Sequence, residues 1–390
     1  MNIFSIWASL VIFGICLLAV VPNFWGKYLD EDVDKNQKRW ATVDGLRGWL
    51  ALAVVIHHCV INFEFQNTGV WQLPNSNYYT MLGQAGVSIF FMITAFLFWG
   101  KIIDAKDSIN WWDIYIGRIF RIVPLYWVTI FLMLVILAAK TGFKLNVPIN
   151  ELLEQLFKWI LPGTVYNKPA INGYQHTNFL TAGVTWTLYY EWLFYLSLPA
   201  LSALSIKKSP FGFLPLSIFL IMVVSNDLYK YLIAMFTVGM LVAAMVRQFP
   251  LAIGDGWLKS CLALVLLSLT LIRRETSYEW TSVIALGTFF ALVASGASIF
   301  GLLKTKAAHR LGAISYGIYL LQGPVIAVIF SNYFLRQFSH QRAENFWISS
   351  MFTAIALIVV ASISYLCVEK PSMKMGKMIR KKHSAQSFQA

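Results

Sequence analysis

The stretch DGLRGWLALAVVIHH, at residues 44–58, joins a charged start to an apolar helix that ends in two histidines. The charged start contains Asp44 and Arg47, and the histidines are His57 and His58. At about 1.5 Å of rise per residue, Arg47 and His58 lie roughly 16 Å apart along the helix axis. Successive turns of about 100° per residue bring Arg47 and His58 to one face, and His57 lies about 100° away. The pattern predicts a membrane helix with a cation at its aqueous end and an acid–base group in its interior, where an ionisable residue is a functional candidate.

The composition indicates an integral membrane protein. The chain has 390 residues, of which 58% are hydrophobic and 13% charged, whereas a typical soluble domain is about 25% charged. Apolar runs long enough for transmembrane helices recur along the chain. The net charge of +13 suits either nucleic acid or an anionic membrane surface. The apolar runs favour the membrane, so we expect the lipid bilayer and no nucleic acid as a partner.

The cysteines give no sign of a metal centre. Cys16, Cys59, Cys261 and Cys367 lie in different apolar segments. No pair has the spacing of metal ligands, and none is interpreted as a disulfide. We expect small buried hydrophobic residues at these positions and no metal site.

The apolar runs predict an all-α fold, a polytopic integral membrane helical bundle with about eleven transmembrane helices. The predicted spans cover residues 3–22, 45–64, 82–103, 118–139, 184–204, 211–226, 229–246, 257–272, 280–303, 314–333 and 346–368. Residues 23–43 are predicted to be a loop, and residues 369–390 a basic tail. The longest loop, 140–182, contains a weakly amphipathic piece at 151–161.

The distribution of lysine and arginine predicts the orientation. If the basic tail is cytoplasmic and the eleven spans alternate, most of the 31 lysines and arginines fall on the cytoplasmic side. The amino terminus then lies outside and the carboxyl terminus inside. Arg47, Arg118 and Arg121 share the cytoplasmic layer, and the loop 140–182 is external.

Arg118 and Arg121 are spaced to share one helix face. Together with Arg47, they form a group of guanidinium ions that matches the geometry of phosphate. The group is therefore a candidate site for a phosphorylated ligand entering from the cytoplasm. Ordinary positive-inside anchoring is the alternative.

Glu191 is a carboxylate within the aromatic run TWTLYYEWLFYLSLP, at 185–199. It is expected roughly 10 Å below the outer end of its span. A carboxylate at that depth is protonated, paired, or exposed to a wet cavity. A structural hydrogen bond to a tyrosine or tryptophan is the simpler interpretation.

Three further stretches mix polar and apolar residues: SIFFMITAFLF at 88–98, ISYGIYLLQGPV at 314–325 and VEKP at 368–371. Ser88 and Thr94 in the first are best interpreted as helix-packing residues. Tyr316, Tyr319 and Gln322 form a polar strip along the second. Glu369 with Pro371 is interpreted as a helix end.

Six motifs, in this order, resemble the membrane acyltransferase 3 family, which includes bacterial O-antigen and exopolysaccharide O-acetylases. They are DGLRG…HH at 44–58, FF-x-x-(S/T)-(G/A)-F-L at 90–97, R-x-x-R-x-x-P at 118–124, WTLYYEWLFYLxxP at 186–199, SYGIYL at 315–320 and EKP at 369–371. The sequence departs from the family pattern at Thr94–Ala95, where serine and glycine are usual, and at Gln322, where a histidine is common.

The resemblance implies a ten-helix core, here preceded by one extra helix, in the bacterial inner membrane. It divides the chain into an N-terminal helix and linker (1–43), an acyltransferase-like membrane domain (44–371) and a basic cytoplasmic tail (372–390). It implies acetyl-CoA, or another acyl-CoA, as the donor substrate without a permanently bound cofactor. It also makes Arg47 and His58 the essential pair.

The expected activity is transfer of an acyl group, most commonly acetyl, to a hydroxyl of a cell-surface glycan or lipid-linked saccharide. Arg47, Arg118 and Arg121 would hold the phosphates of the donor. His58 would act as a general base or a transient acyl carrier, with His57 in support. Glu191 would orient the imidazole or bind the acceptor.

An exporter of a glycan or lipid-linked substrate is the alternative function. A transporter is expected to contain broken helices at matching positions in two related halves. The sequence shows no such paired Gly/Pro interruptions. The arginine group also favours a phosphorylated donor over transport.

Overall fold

The computed structural model describes residues 2–105, 109–205, 209–249 and 254–387. The α-helices in these ranges are α1 (Ile6–Ala19), α2 (Asn23–Thr68), α3 (Asn77–Ala105), α4 (Trp111–Lys140), α5 (Ile149–Ile160), α6 (Trp186–Ser205), α7 (Leu214–Val223), α8 (Asp227–Gln248), α9 (Trp257–Arg273), α10 (Trp280–Ala294), α11 (Lys306–Ala313), α12 (Ser315–Ser331), α13 (Tyr333–Gln341), α14 (Ala343–Ser364) and α15 (Lys370–Ser387). The prediction of an all-α fold is confirmed. Residues 1 and 388–390, at the ends of the first and third predicted parts, lie outside the described residues.

Five of the described helices are long and apolar enough to cross a membrane. They are Trp40–Thr68, α3, α4, α8 and the continuous run Ala343–His383. Two bent helix pairs raise the number to seven if each pair is one span. Helices α7, α9 and α10 have 10, 17 and 15 residues, fewer than the roughly 20 that a straight span requires. The number of eleven spans therefore stays a prediction.

The predicted loop at 23–43 is wrong, because α2 begins at Asn23. The helical hydrogen bonding continues to Thr68, with one non-helical backbone conformation at Trp40 (φ −136°, ψ 44°). The physical reason is that no glycine or proline interrupts the residues from Lys27 to Val43. Polar side chains such as Lys, Glu and Gln are good helix formers even though they do not favour lipid.

The predicted span at 280–303 is too long, because α10 ends at Ala294. The chain turns at Gly296, which has a φ of 111°, a conformation that is accessible to glycine and strained for other residues. Left-handed conformations follow at Ile299, Phe300 and Gly301. The apolar composition of this turn concealed the end of the helix.

Glu369 is not a helix end, so that interpretation is wrong as well. A π-helical turn over Tyr365–Glu369 connects α14 to α15, and the helix continues to Ser387. The wider π turn changes the carbonyl positions that precede Pro371, so the proline ring is accommodated without ending the helix. The basic tail is therefore largely helical in its described part.

The chain divides into two compact units. The first comprises Met1–Ile109 and Leu196–Ser315, and the second comprises Asn110–Tyr195 and Tyr316–Ala390. In the first unit, α2 packs against α3 and α11, and α3 packs against α8. In the second, α15 packs along α4, and α13 packs against α14.

The predicted amphipathic piece is helix α5, and its prediction is confirmed. The irregular loop that follows is attached to α5 by side-chain contacts. The Trp159 indole donates to the carbonyl oxygen of Pro169 (2.8 Å). The buried Lys168 ammonium group donates to the carbonyls of Lys158 (2.8 Å) and Leu161 (3.4 Å) at the end of α5.

Candidate functional site

The motif helix places Arg47, His57 and His58 on one continuous helical run after Trp40. Helical geometry therefore relates Arg47 to His58 over this run, as the sequence predicted. The glycines of the DGLRG motif allow a close approach to neighbouring backbone. A β-carbon at Gly45 would overlap the carbonyl of Leu303, and one at Gly48 would overlap Leu311. The motif thus fixes the start of the helix against the segment that includes α11.

His57 is buried and held in one orientation. Its Nδ1 atom lies 2.7 Å from the carbonyl oxygen of Tyr79. A carbonyl only accepts hydrogen bonds, so Nδ1 carries the proton and donates it. A β-carbon at Gly83 would overlap the His57 ring, so the glycine makes room for the imidazole. These contacts suit a side chain that supports its neighbour.

His58 has a more open environment than His57. Its side chain is partly exposed. The His58 ring centroid lies 5.0 Å from that of His57 with an interplanar angle of 68°. The His58 ring is also stacked on that of Trp71, with a centroid distance of 6.4 Å and an angle of 24°. His58 is therefore confined by two rings but remains accessible.

Arg47 lies one turn of helix beyond Asp44, and the two side chains form a loose ion pair. The distance from Arg47 Nη1 to Asp44 Oδ1 is 4.0 Å, and the side chains are 27% and 31% exposed. An ion pair at this distance and exposure contributes little to stability. The partly exposed Arg47 guanidinium is therefore suited to contact an anionic ligand.

Arg121, in the second unit, forms a tight buried ion pair. Its Nη1 atom lies 3.1 Å from Glu369 Oε2, and the Glu369 side chain is fully buried. The same nitrogen donates to Met373 Sδ at 3.2 Å. The guanidinium also lies over the Tyr316 ring at 5.6 Å. The Tyr316 hydroxyl donates to the carbonyl of Ile122 (2.9 Å), which fixes this ring against α4.

Glu191 joins the same group of residues through Tyr195. The Tyr195 hydroxyl donates to Glu191 Oε2 at 3.0 Å, and Arg118 is also a hydrogen-bond partner of Tyr195. Tyr316 lies near the charges of Glu191, Glu369 and Arg121. We call Arg118, Arg121, Glu191, Tyr195, Tyr316 and Glu369 the arginine–carboxylate cluster.

The predicted site residues fall into two groups. Arg47, His57 and His58 belong to the first unit, and Arg118, Arg121 and Glu191 belong to the second. The structure brings Arg118, Arg121 and Glu191 together in the arginine–carboxylate cluster. The prediction that Arg47 shares one donor with them stays a prediction, and so does the role of Glu191 beside His58.

The polar strip of α12 is accounted for by hydrogen bonds within the second unit. Tyr319 is within 3.0 Å of the Thr187 hydroxyl. The buried Gln322 donates to the carbonyl of Tyr319 at 2.7 Å. In the first unit, the Ser88 hydroxyl donates to Ser277 at 2.9 Å, which supports the packing interpretation of this residue.

The expected hydrogen bond between Glu191 and an aromatic side chain is confirmed, with Tyr195 as the partner, whereas the ion pair of Glu369 with Arg121 was missed by reasoning from the sequence. Tyr195 follows Glu191 by four residues, so the helical spacing alone could have identified it. The pairing of Glu369 with Arg121 has no local signal, because it joins residues far apart in the chain.

A family model described as an acyltransferase domain matches residues 40–369 of the chain. No curated protein and no solved structure matches this chain.

Proposed function

Since the chain belongs to the membrane acyltransferase 3 family, we propose that it transfers an acetyl group from acetyl-CoA to a hydroxyl of a cell-surface glycan or lipid-linked saccharide. Acyl transfer by a multi-pass membrane protein follows from the family and from the apolar helices. The donor, the acyl group, the acceptor and the location in a bacterial inner membrane are the proposal.

The observation that carries the proposal is the contrast between the two adjacent histidines. His57 is buried and hydrogen-bonded to the Tyr79 carbonyl, whereas His58 is partly exposed and, by helical spacing, shares the face of Arg47. A fixed histidine beside an accessible one suits a pair in which one imidazole supports and the other reacts.

In the general-base version, His58 takes the proton of the acceptor hydroxyl as the acceptor oxygen attacks the thioester carbonyl. The carbon–sulfur bond breaks, and the CoA sulfur leaves with the proton that His58 returns. In the acyl-carrier version, the imidazole nitrogen attacks the thioester carbonyl, and the carbon–sulfur bond breaks to release the CoA thiolate. The acceptor oxygen then attacks the acyl group, the nitrogen–carbon bond breaks, and the proton of the acceptor hydroxyl goes to the thiolate. Both versions produce the acyl ester and free CoA.

Arg47, Arg118 and Arg121 are the proposed contacts for the donor phosphates. Guanidinium groups bind phosphate through two parallel hydrogen bonds. The arginine–carboxylate cluster supports this role because Glu369 and Tyr316 hold Arg121 in a defined geometry. Glu191 is proposed to position Arg118 through Tyr195.

Export of a glycan or lipid-linked substrate is the second candidate. The bent helix pairs favour it, because transporters use broken helices. The pair Ile6–Ala19 and Asn23–Asp30 bends by 77°, and the pair Lys306–Ala313 and Ser315–Ser331 bends by 61°.

Mass spectrometry of surface glycans from cells with and without the gene tests the proposal. We expect the acetyl ester to disappear from a glycan that is otherwise intact at the surface, and to return on complementation. Loss of the whole glycan from the surface would indicate export instead. Unchanged acetylation and unchanged glycan would contradict both functions.

A further inference from the structure

A basic cavity lies between the start of α4 and the face of α15 that packs on it. The cavity has a volume of about 330 Å³ and is lined by Asp113, Lys377, Arg380 and Lys381. It belongs to the second unit and lies outside the arginine–carboxylate cluster. Three cations around one cavity make it a candidate site for an anion.

The three cations share one face of α15 because they are three and four residues apart. Arg380 is held in place, since its Nη1 lies 3.5 Å from the carbonyl oxygen of Asp113 and its Nε lies 3.4 Å from that of Gly376. A β-carbon at Gly376 would be 2.8 Å from the Phe120 side chain, so this glycine allows α15 to approach α4 closely. Lys382 points away from this face by helical geometry.

The fourth lining residue, Asp113, suits a ligand that carries a hydrogen-bond donor as well as an anionic group. The Asp113 carboxylate would repel an isolated phosphate or a lipid phosphate. Its Oδ1 atom is buried and has no hydrogen-bond partner within the described residues, so it can accept from a hydroxyl or an amino group. The neighbouring Trp112 is 46% exposed and stacks on His383 at 5.4 Å, which provides an aromatic surface for a base. Cations, a hydrogen-bond acceptor and an aromatic surface together suit a phosphorylated nucleoside.

We propose that this cavity binds the 3′-phosphoadenosine end of acyl-CoA. Lys377, Arg380 and Lys381 contact the 3′-phosphate, and Asp113 accepts from the ribose hydroxyl or the adenine amino group. Arg118 and Arg121 lie roughly 7.5 and 12 Å farther along α4 than Asp113 does. They are therefore placed to contact the pyrophosphate of the same donor. The inference rests on the proposed function, because it assigns a part of the donor to a place in the second unit.

The cavity predicts that the protein distinguishes CoA from 3′-dephospho-CoA. The experiment measures the affinity of the full-length protein, in nanodiscs of zwitterionic lipid, for these two compounds by calorimetry. We expect the wild type to bind CoA at least about ten-fold more tightly than 3′-dephospho-CoA, as charge-assisted hydrogen bonds to one phosphate group imply. The combined variant Lys377→Gln, Arg380→Gln and Lys381→Gln is expected to bind both compounds with the weaker affinity. The matched control Lys382→Gln, from the other face of α15, keeps the wild-type ratio.

Each contrary outcome points to a different error. Equal affinity of the wild type for both compounds overturns the inference and leaves acyl-CoA as the donor. A ratio that survives in the triple variant also overturns it, because the 3′-phosphate would then bind elsewhere. A wild type that binds neither compound overturns the inference and the proposed donor together. If the triple variant keeps the ratio, and phosphatidylglycerol in the nanodisc raises the thermal stability of the wild type but not of the triple variant, the basic face contacts lipid headgroups instead.

Discussion

The two units differ in how their buried ion pairs relate to the residues proposed for chemistry. In the first unit, Arg310 donates to both carboxylate oxygens of Asp30 at 2.7 Å. It also donates to the carbonyls of Val20, Val21 and Pro22, at the bend between α1 and α2. This network is made by residues other than the motif residues Arg47, His57 and His58.

In the second unit, one residue is proposed for donor binding and also forms the buried ion pair. Arg121 is proposed to bind the donor, and it is also the partner of the fully buried Glu369. A substitution in the first unit can therefore remove structure or chemistry separately, but a substitution at Arg121 changes both. Activity measurements on the second unit require a stability measurement on the same variant.

The largest effect on stability is expected for Arg310→Ala. Removing one partner of a buried ion pair costs about 3–5 kcal/mol, and here three backbone carbonyls lose a donor as well. Lysine has one ammonium group in place of the planar fork, so Arg310→Lys is expected to restore only part of the loss. Thermal unfolding of the detergent-solubilised protein measures both variants. Transfer activity per folded molecule should stay near the wild-type value, and a loss of activity at unchanged stability would contradict the separation seen in the first unit.

Glu369→Ala is expected to be almost as destabilising, at about 3 kcal/mol or more, because Arg121 is left without its buried carboxylate. The double variant Arg121→Met and Glu369→Met removes both charges, and apolar replacement of a buried pair is often neutral or stabilising. We therefore expect the double variant to recover most of the stability but not the affinity for acyl-CoA. If the double variant binds acyl-CoA normally, Arg121 serves the fold only.

The contrast between the units also explains what the sequence could and could not predict. The motif helix was predictable because the geometry that relates Arg47 to His58 is that of a single helix. The pairing of Arg121 with Glu369 depends on how distant helices pack, and no local pattern contains that information. The same limit applies to the bounds of the helices. Residues 23–43 were predicted to be a loop because they are polar, but a polar composition argues only against contact with lipid and not against a helix.

Helix α15 is a further instance of this limit. Its basic composition predicted a tail, yet the close contact between Gly376 and Phe120 attaches it to α4. The cavity lined by Lys377 and Arg380 lies where α15 packs on α4. The composition therefore indicated the charge of this segment, but not the cavity that its basic side chains line.

A smaller effect is expected at Lys168, a buried cation of the second unit that is held by carbonyls and aromatic rings. Burial lowers the pKa of Lys168 from its ordinary value of 10.5 to about 8. Between these two values, the unfolded loop binds more protons than the folded loop, so the stability of the fold rises with pH in that window. Below about pH 8, the cost of burying the ammonium group is fully present.

Digestion by subtilisin of the loop that follows α5, from pH 7.5 to 10.5, measures this effect. Relative to Lys168→Met, the wild-type loop should become a few-fold more resistant as the pH rises. Lys158→Met, at a lysine whose side chain is 42% exposed, serves as the control and should keep the wild-type profile. Identical profiles for the wild type and Lys168→Met would show that the two carbonyl hydrogen bonds offset the cost of burial.

The central claim is that His58 reacts and His57 supports, and the most direct test is acetylation of the native surface glycan by each alanine variant at matched membrane abundance. Loss of a general base reduces the rate by about 10² to 10⁴-fold, so His58→Ala should abolish detectable transfer. His57→Ala should retain part of it, because the Tyr79 carbonyl and the space at Gly83 fix an orientation and do not take part in proton transfer. Near-normal transfer by His58→Ala with loss in His57→Ala would reverse the two roles, and normal transfer by both would contradict the mechanism.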